Sequence, residues 1–155
     1  MAEVEYLRPA TLFRWGQTQF PMLEKLMPKA ESLPYLRYAI ALIFLTHGIT
    51  RIRIDGVEGF GEFLSASGFP AGVALAWGIT VFELAGASLL ALDIGARIVA
   101  ALFILELVCG IALVHFSEGW FVVGAGRNGF EYSFLLIVSL LTIILSDSKP
   151  ATQPG

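Results

Sequence analysis

Four long apolar runs divide the chain, at roughly 35–54, 71–92, 95–116 and 129–146, separated by short stretches of Gly, Pro and charged residues. A hydrocarbon core about 30 Å thick is crossed by about 20 helical residues. The first three runs have that length. The fourth reaches it only if Glu131 and Tyr132, at its start, sit at the interface. The second and third runs keep hardly any polar face, which the core helix of a soluble domain would need on its outer side. The pattern predicts an all-α fold, a polytopic membrane four-helix bundle. The buried core of a soluble four-helix protein is the competing reading.

The connections refine this picture. Residues 55–70, DGVEGFGEFLSASGFP, carry Phe60, Phe63, Leu64 and Phe69 and predict a short amphipathic helix in the first outward loop, stopped by Gly68 and Pro70. The second outward loop, 117–128, places Trp120 and Phe121 where an interfacial aromatic belt forms. The 93–96 turn is short enough to force the second and third runs into a tight antiparallel hairpin. Residues 1–33 lack a continuous apolar signal segment and are broken by Pro9, Pro21 and Pro28. Their mix of Leu12, Phe13, Phe20 and Leu23 with Arg14 and Lys25 predicts an amphipathic, interfacial extension, with a docking arm for a partner subunit as the alternative. Residues 34–147 form the bundle and 148–155 a flexible tail. Arg8, Arg14, Lys25, Lys29, Arg37, Arg97 and Lys149 flank one side, against Arg51, Arg53 and Arg127 on the other. That bias predicts both termini in the cytoplasm of a multi-pass membrane protein.

Composition agrees with the pattern. The chain is 56% hydrophobic and 15% charged, against about 45–50% and about 25% in soluble domains. Lys and Arg are scattered, which excludes a nucleic-acid partner and leaves the lipid bilayer as the expected one. Cys109 is the one cysteine, so the chain forms no intramolecular disulfide and has no C-x-x-C motif. No metal-ligand motif is present, and no intrinsic cofactor is expected.

The candidate chemistry lies inside the apolar runs. Glu83 falls mid-way along the second, Glu106 along the third, and His47 in the first. A charge at a membrane helix centre costs about 2.5–3.5 kcal/mol on insertion scales and marks a functional site by default. Ala76, Thr80, Glu83 and Ala87 share one helical face, which points Glu83 into the bundle. Glu106, Cys109 and Gly110 share another face that reads as a packed interface. His115, nine residues after Glu106, falls about 180° away on a regular α-helix. His47 and Arg51 are i, i+4 neighbours. Tyr132, Ser139, Thr142 and Ser146 make a polar seam on the fourth run. Taken together, Arg51, His115 and Glu131 near the outer surface and His47, Glu106 and Glu83 deeper down describe a polar track in the outward half. Tyr132 stands beside it, and Arg51 is expected to pair with Glu131 or an anionic head group.

Two functional readings follow. The acids hold helices together as neutral or paired groups, or the track is a pocket for a small redox ligand such as a quinone, hydrogen-bonded by His47 or a glutamate. Two axial haem ligands are not available, because His47 and His115 differ by roughly 10 Å in depth at 1.5 Å per residue. A small-solute transporter is the third class, disfavoured because inverted halves with paired broken helices are not visible.

At this point the residues resemble the DoxX family of small four-helix bacterial and archaeal membrane proteins, over roughly 36–145, which implies a bacterial or archaeal cytoplasmic (inner) membrane location. LRYAIALIFLTHGITRI is similar to the family's Arg-led run ending in His-Gly and a basic residue, here Arg37, His47, Gly48 and Arg51. The following stretch resembles its Phe loop, Gly-Phe-Pro, mid-helix Glu and later Arg, here Phe63, Gly68, Pro70, Glu83, Gly86 and Arg97. His115, Gly119, Gly129 and Glu131 are similar to its last segments. Arg51 replaces a more usual Lys, and Asp93 a more usual Gly. The resemblance implies an accessory subunit or quinone-binding component of a membrane redox system, with a membrane or soluble redox protein as partner. A structural or assembly scaffold is the alternative, and self-association stays open. It singles out Glu83 together with His47 and leaves Glu106 as a packing or hydrogen-bonding group.

Overall fold

The computed structural model describes residues 32–146. The expected N-terminal extension and C-terminal tail lie outside the described residues, except for Ser32 and Leu33. The described chain is all-helical: α1 (Ser32–Arg53), α2 (Gly56–Ala66), α3 (Gly72–Ala91), α4 (Ala96–Gly110) and α5 (Glu131–Ser146). A π-helical segment, Ile111–His115, continues α4. The amphipathic helix expected in the 55–70 connection is α2. It ends where Gly68 takes φ 93° and the Phe69 N–H donates to the Leu64 carbonyl at 3.0 Å. The α3–α4 hairpin turns through Asp93 at φ 63° and Gly95 at φ 60°. Asp tolerates the left-handed region better than most residues, so it can stand where the family resemblance leads one to expect Gly.

Cross-helix contacts fix the register. Arg37 of α1 forms an ion pair with Asp93 at the foot of α3. One turn below Arg51, a Cβ on Gly48 would come within 3.0 Å of Leu84 and 3.4 Å of the Glu83 carboxylate, so α1 and α3 run antiparallel in close approach. Four helices supply one core: Ile40, Ala41 and Phe44 from α1, Ala87 and Leu90 from α3, Val99, Ala100 and Phe103 from α4, and Leu136, Leu140 and Ile143 from α5. Phe44 stacks on Phe103 with centroids 3.7 Å apart. This core fills the half of the molecule nearest the Asp93 turn. In the opposite half, Val57 and Leu64 of α2 pack on Ala76 of α3 instead.

The outward faces are apolar. Val81, Ile98, Val108, Leu135 and Leu145 are all exposed, which water penalises and lipid does not. By length and composition, α3 and the continuous helix Ala96–His115, 20 residues each, suffice to cross a membrane, and α5 is a shorter apolar helix. The polar seam expected on α5 does not join helices. The Ser139, Thr142 and Ser146 hydroxyls donate to the carbonyls of Leu135, Val138 and Thr142, one turn back on the same helix.

Two glycines set how α2 lies on α3. A Cβ on Gly61 would stand 2.5 Å from the Val73 Cα, and one on Gly72 would collide with the Gly61 carbonyl and Ser65. Backbone therefore meets backbone. Gly61→Val is expected to destabilise the protein by about 1–3 kcal/mol through overpacking. Gly59→Ala, whose Cβ meets nothing within 4 Å, is expected to leave it unchanged or slightly raise it. Thermal unfolding of the two variants in one detergent checks the pair.

Candidate ligand cavity

Above the core, where the helices separate, lies a cavity of about 780 Å³. Its wall is mainly apolar, with Phe60, Phe63 and Phe69 from α2 and the segment after it, Ile79 and Phe82 from α3, and Leu102 and Leu105 from α4. His47, Arg51, Glu83, Glu106, His115 and Tyr132 all line it. Six of the seven residues expected from the sequence to form the polar track are thus brought round one space, and Glu131 is not among them.

The strongest interaction in the wall joins α1 to α3. Arg51 donates from Nη1 to Glu83 Oε2 at 2.5 Å and from Nη2 to Oε1 at 2.9 Å, a two-pronged pair. Nη1 also donates to the Thr80 hydroxyl at 2.9 Å, while Thr80 donates to the Ala76 carbonyl. The guanidinium lies 4.7 Å from the centroid of the Phe60 ring, a cation–π contact. Glu83 is buried, as its small-residue face predicts, and Arg51 is largely covered. The expected Arg51–Glu131 pair does not form, because the antiparallel register puts Arg51 opposite Thr80 and Glu83. Glu131 instead accepts the Val122 N–H at 3.0 Å and holds the loop before α5, where the Phe130 and Glu131 amides donate to the carbonyls of Gly119 and Trp120. Trp120 packs edge-on against Phe130.

Glu106, like Glu83, lines the cavity. Its Oε2 is buried and has no hydrogen-bond partner among the described residues. The face it shares with Cys109 and Gly110 is not a packed interface. Cys109 is exposed, a Cβ on Gly110 would meet nothing within 4 Å, and all three residues line the cavity. Gly78 of α3 is equally open and also borders this space.

His115 and Glu106, placed on opposite sides by regular α-helical spacing, face the same cavity. The π segment is the reason. The Phe116 N–H reaches back five residues to the Ile111 carbonyl, at 2.8 Å, and a π turn takes up more residues than an α turn, so the helical phase slips. The His115 Nδ1 is 2.7 Å from the Asn128 carbonyl. Asn128 and Ser133 also line the cavity and were not singled out from the sequence. Thr80 was placed on the Glu83 face, but not as a partner of Arg51. No group of His, Cys, Asp and Glu able to hold a metal occurs among the described residues.

Membrane-length apolar helices with ionisable side chains turned inward to a cavity are how a helical membrane protein is built. The DoxX family model matches residues 32–116, more than half of the chain, and the chain belongs to that family. The match takes in α1 through the π segment, and so Arg51, Glu83, Glu106 and His115. The chain is also similar to the Bacillus subtilis (strain 168) protein described as "Putative oxidoreductase CatD", 28% identical over 114 residues, which is 74% of this chain and 78% of that protein. No solved structure matches it significantly.

The geometry sets the energetics of the pair. Arg51→Met leaves a buried Glu83 without its cation and is expected to destabilise by about 3–5 kcal/mol. Combining it with Glu83→Leu removes both charges and should restore much of that loss. Unfolding of the two singles and the double in detergent gives the coupling. An additive double variant would mean that the pair is not coupled.

Proposed function

We propose that the cavity is the binding site for a small, lipid-soluble redox ligand of the quinone class, and that the protein serves as its binding subunit in a membrane redox system. The single observation that carries this reading is an apolar, aromatic-walled cavity of about 780 Å³ whose charged groups are Arg51, Glu83 and Glu106. Pockets of this size and make-up, with few polar groups fixing orientation, suit ring-shaped ligands. The oxidoreductase description carried by the Bacillus subtilis relative points the same way. In this reading α1, α3, α4 with its π segment and α5 cross the inner membrane, both termini are cytoplasmic, and α2 covers the outward end. Residues of this chain bind and orient the ligand and hold protons, while electrons pass to a partner redox protein.

A scaffold role is the second reading, favoured by the Arg51–Glu83 pair, which fastens α1 to α3 whether or not a ligand is bound. The two separate at Gly78. Its Cβ direction is open and it borders the cavity, so Gly78→Phe fills the space without disturbing the pair. Purified full-length protein in native-lipid discs is expected to carry quinone detectable by mass spectrometry of the extract, and Gly78→Phe to lose it with unchanged unfolding temperature. Equal quinone in both, or none in either above empty discs, would leave the scaffold reading standing.

A further inference from the structure

Resting on that reading of the cavity, we infer that it opens sideways into the bilayer, through a window between α3 and α4 at Gly78 and Gly110, and that its ligand is a long-tailed quinone whose ring sits inside while the tail lies outside among the lipid chains. Leu75, Gly78, Ile79 and Phe82 fall at i, i+3, i+4 and i+7 on one face of α3, and all four line the cavity. At the foot of that face the seam between the two helices is sealed. Phe82 packs on Phe103 with centroids 4.8 Å apart, and a Cβ on Gly86 would meet the Phe103 ring at 3.2 Å. Further out the seam is open. Gly78 stands fifteen residues before Asp93 and Gly110 fifteen after Gly95, so at 1.5 Å per residue both lie about 22 Å along their helices from the turn. Glycines at one level let two helices approach closely. Here a Cβ on either would meet nothing within 4 Å, and both border the cavity. The helices have parted, and neither offers a side chain at that level to fill the gap.

Neighbouring side chains show where the gap leads. Leu75, Leu102 and Leu105 line the cavity and are also exposed at the surface, so the space is continuous with the surroundings there. The flanks, Trp77 and Val81 on α3 and Val108 on α4, are exposed and apolar, which suits hydrocarbon and not water. The charged groups are held away from this rim. Arg51 comes from α1 and pairs with Glu83 on a different face of α3, and Glu106, next to Leu105, keeps its Oε2 buried. A guest with a polar ring and an apolar tail is thereby oriented, ring toward the charged groups and tail through the window. Such a tail passes from lipid to lipid, so lengthening it removes no further apolar surface from water and leaves affinity unchanged. A cavity closed on all sides would have to hold the whole tail within about 780 Å³, and each added carbon beyond that would overpack it.

Three benzoquinones of one ring test this, carrying a methyl, a decyl and a long isoprenoid tail. Equilibrium binding to the full-length protein in lipid discs is corrected for empty discs and referred to the ligand concentration in the lipid. The decyl and isoprenoid compounds are expected to bind equally within about threefold. A decyl compound with a diazirine at the end of its tail, photolysed on the protein, is expected to crosslink to α3 and α4 around the window, and unlabelled decyl compound to suppress those crosslinks. Gly110→Trp plugs the gap and is expected to weaken both tailed compounds by about tenfold or more relative to the methyl compound, with unchanged unfolding temperature. Affinity that falls steadily as the tail lengthens, the result a second copy of the chain seated over the gap would also give, overturns the inference. So do suppressible crosslinks missing from α3 and α4, or an unchanged ratio in folded Gly110→Trp. Each of these leaves the quinone-site reading intact. Failure of all three compounds to bind overturns that reading, and the inference with it. The tail series and the crosslink map on the unmodified protein stand even if Gly110→Trp does not fold.

Discussion

A guanidinium and a carboxylate held in two-pronged contact inside an apolar shell determine most of what is distinctive about this molecule. Neither ion is tolerable there alone. The desolvation of each is offset only by the other, by Thr80 and by the Phe60 face. The pair requires α1 to lie close along α3, which Gly48 permits by carrying no side chain toward Leu84 and Glu83. It also fixes which residues remain. With Arg51 committed to Glu83, Glu106 becomes the acid without a cation.

Much of the fold could be read from the order of residues because it depends on local rules. Apolar length marked the helices, the Phe-rich connection with Gly68 marked α2, and the small-residue face of Ala76, Thr80 and Ala87 turned Glu83 inward. The composition of the site was legible for a related reason. An ionisable group in an apolar run has few places to go except inward, so six of the residues named in advance meet in one cavity. Pairing was not legible, since whether Arg51 meets Glu83 or Glu131 depends on the rotation of one helix against another. Nor was the phase of His115, because the slip at Ile111–His115 has no recognisable sequence signal and regular spacing carries the wrong answer across it. The supposed packing face of Glu106, Cys109 and Gly110 failed for a third reason. Small residues permit close approach, but they equally leave a hollow when no neighbour approaches.

The two halves of the molecule divide the work. The half around Phe44, Phe103 and Leu140 is solid, with aromatic stacking and four helices contributing. The other half trades packing for space, and the polar groups that would be costly in the solid half are gathered at the boundary between the two. This explains how the chain tolerates a cavity of that size. The helices are already held together below it, and Arg37 with Asp93 ties the far end of the same α1–α3 pair.

The glycine contact between α2 and α3 has a kinetic meaning. Because Gly61 and Gly72 bring main chain against main chain, the roof over the cavity is not hinged by side chains that could rotate aside. In the proposed reading the space is a preformed receptacle rather than one state of a switch. Occupancy needs no rare open conformer, so affinity is not reduced by the fraction of molecules in a competent form. Little ordering entropy is lost when a guest arrives. Differences in affinity between related guests should then appear in how long each stays rather than in how fast it enters.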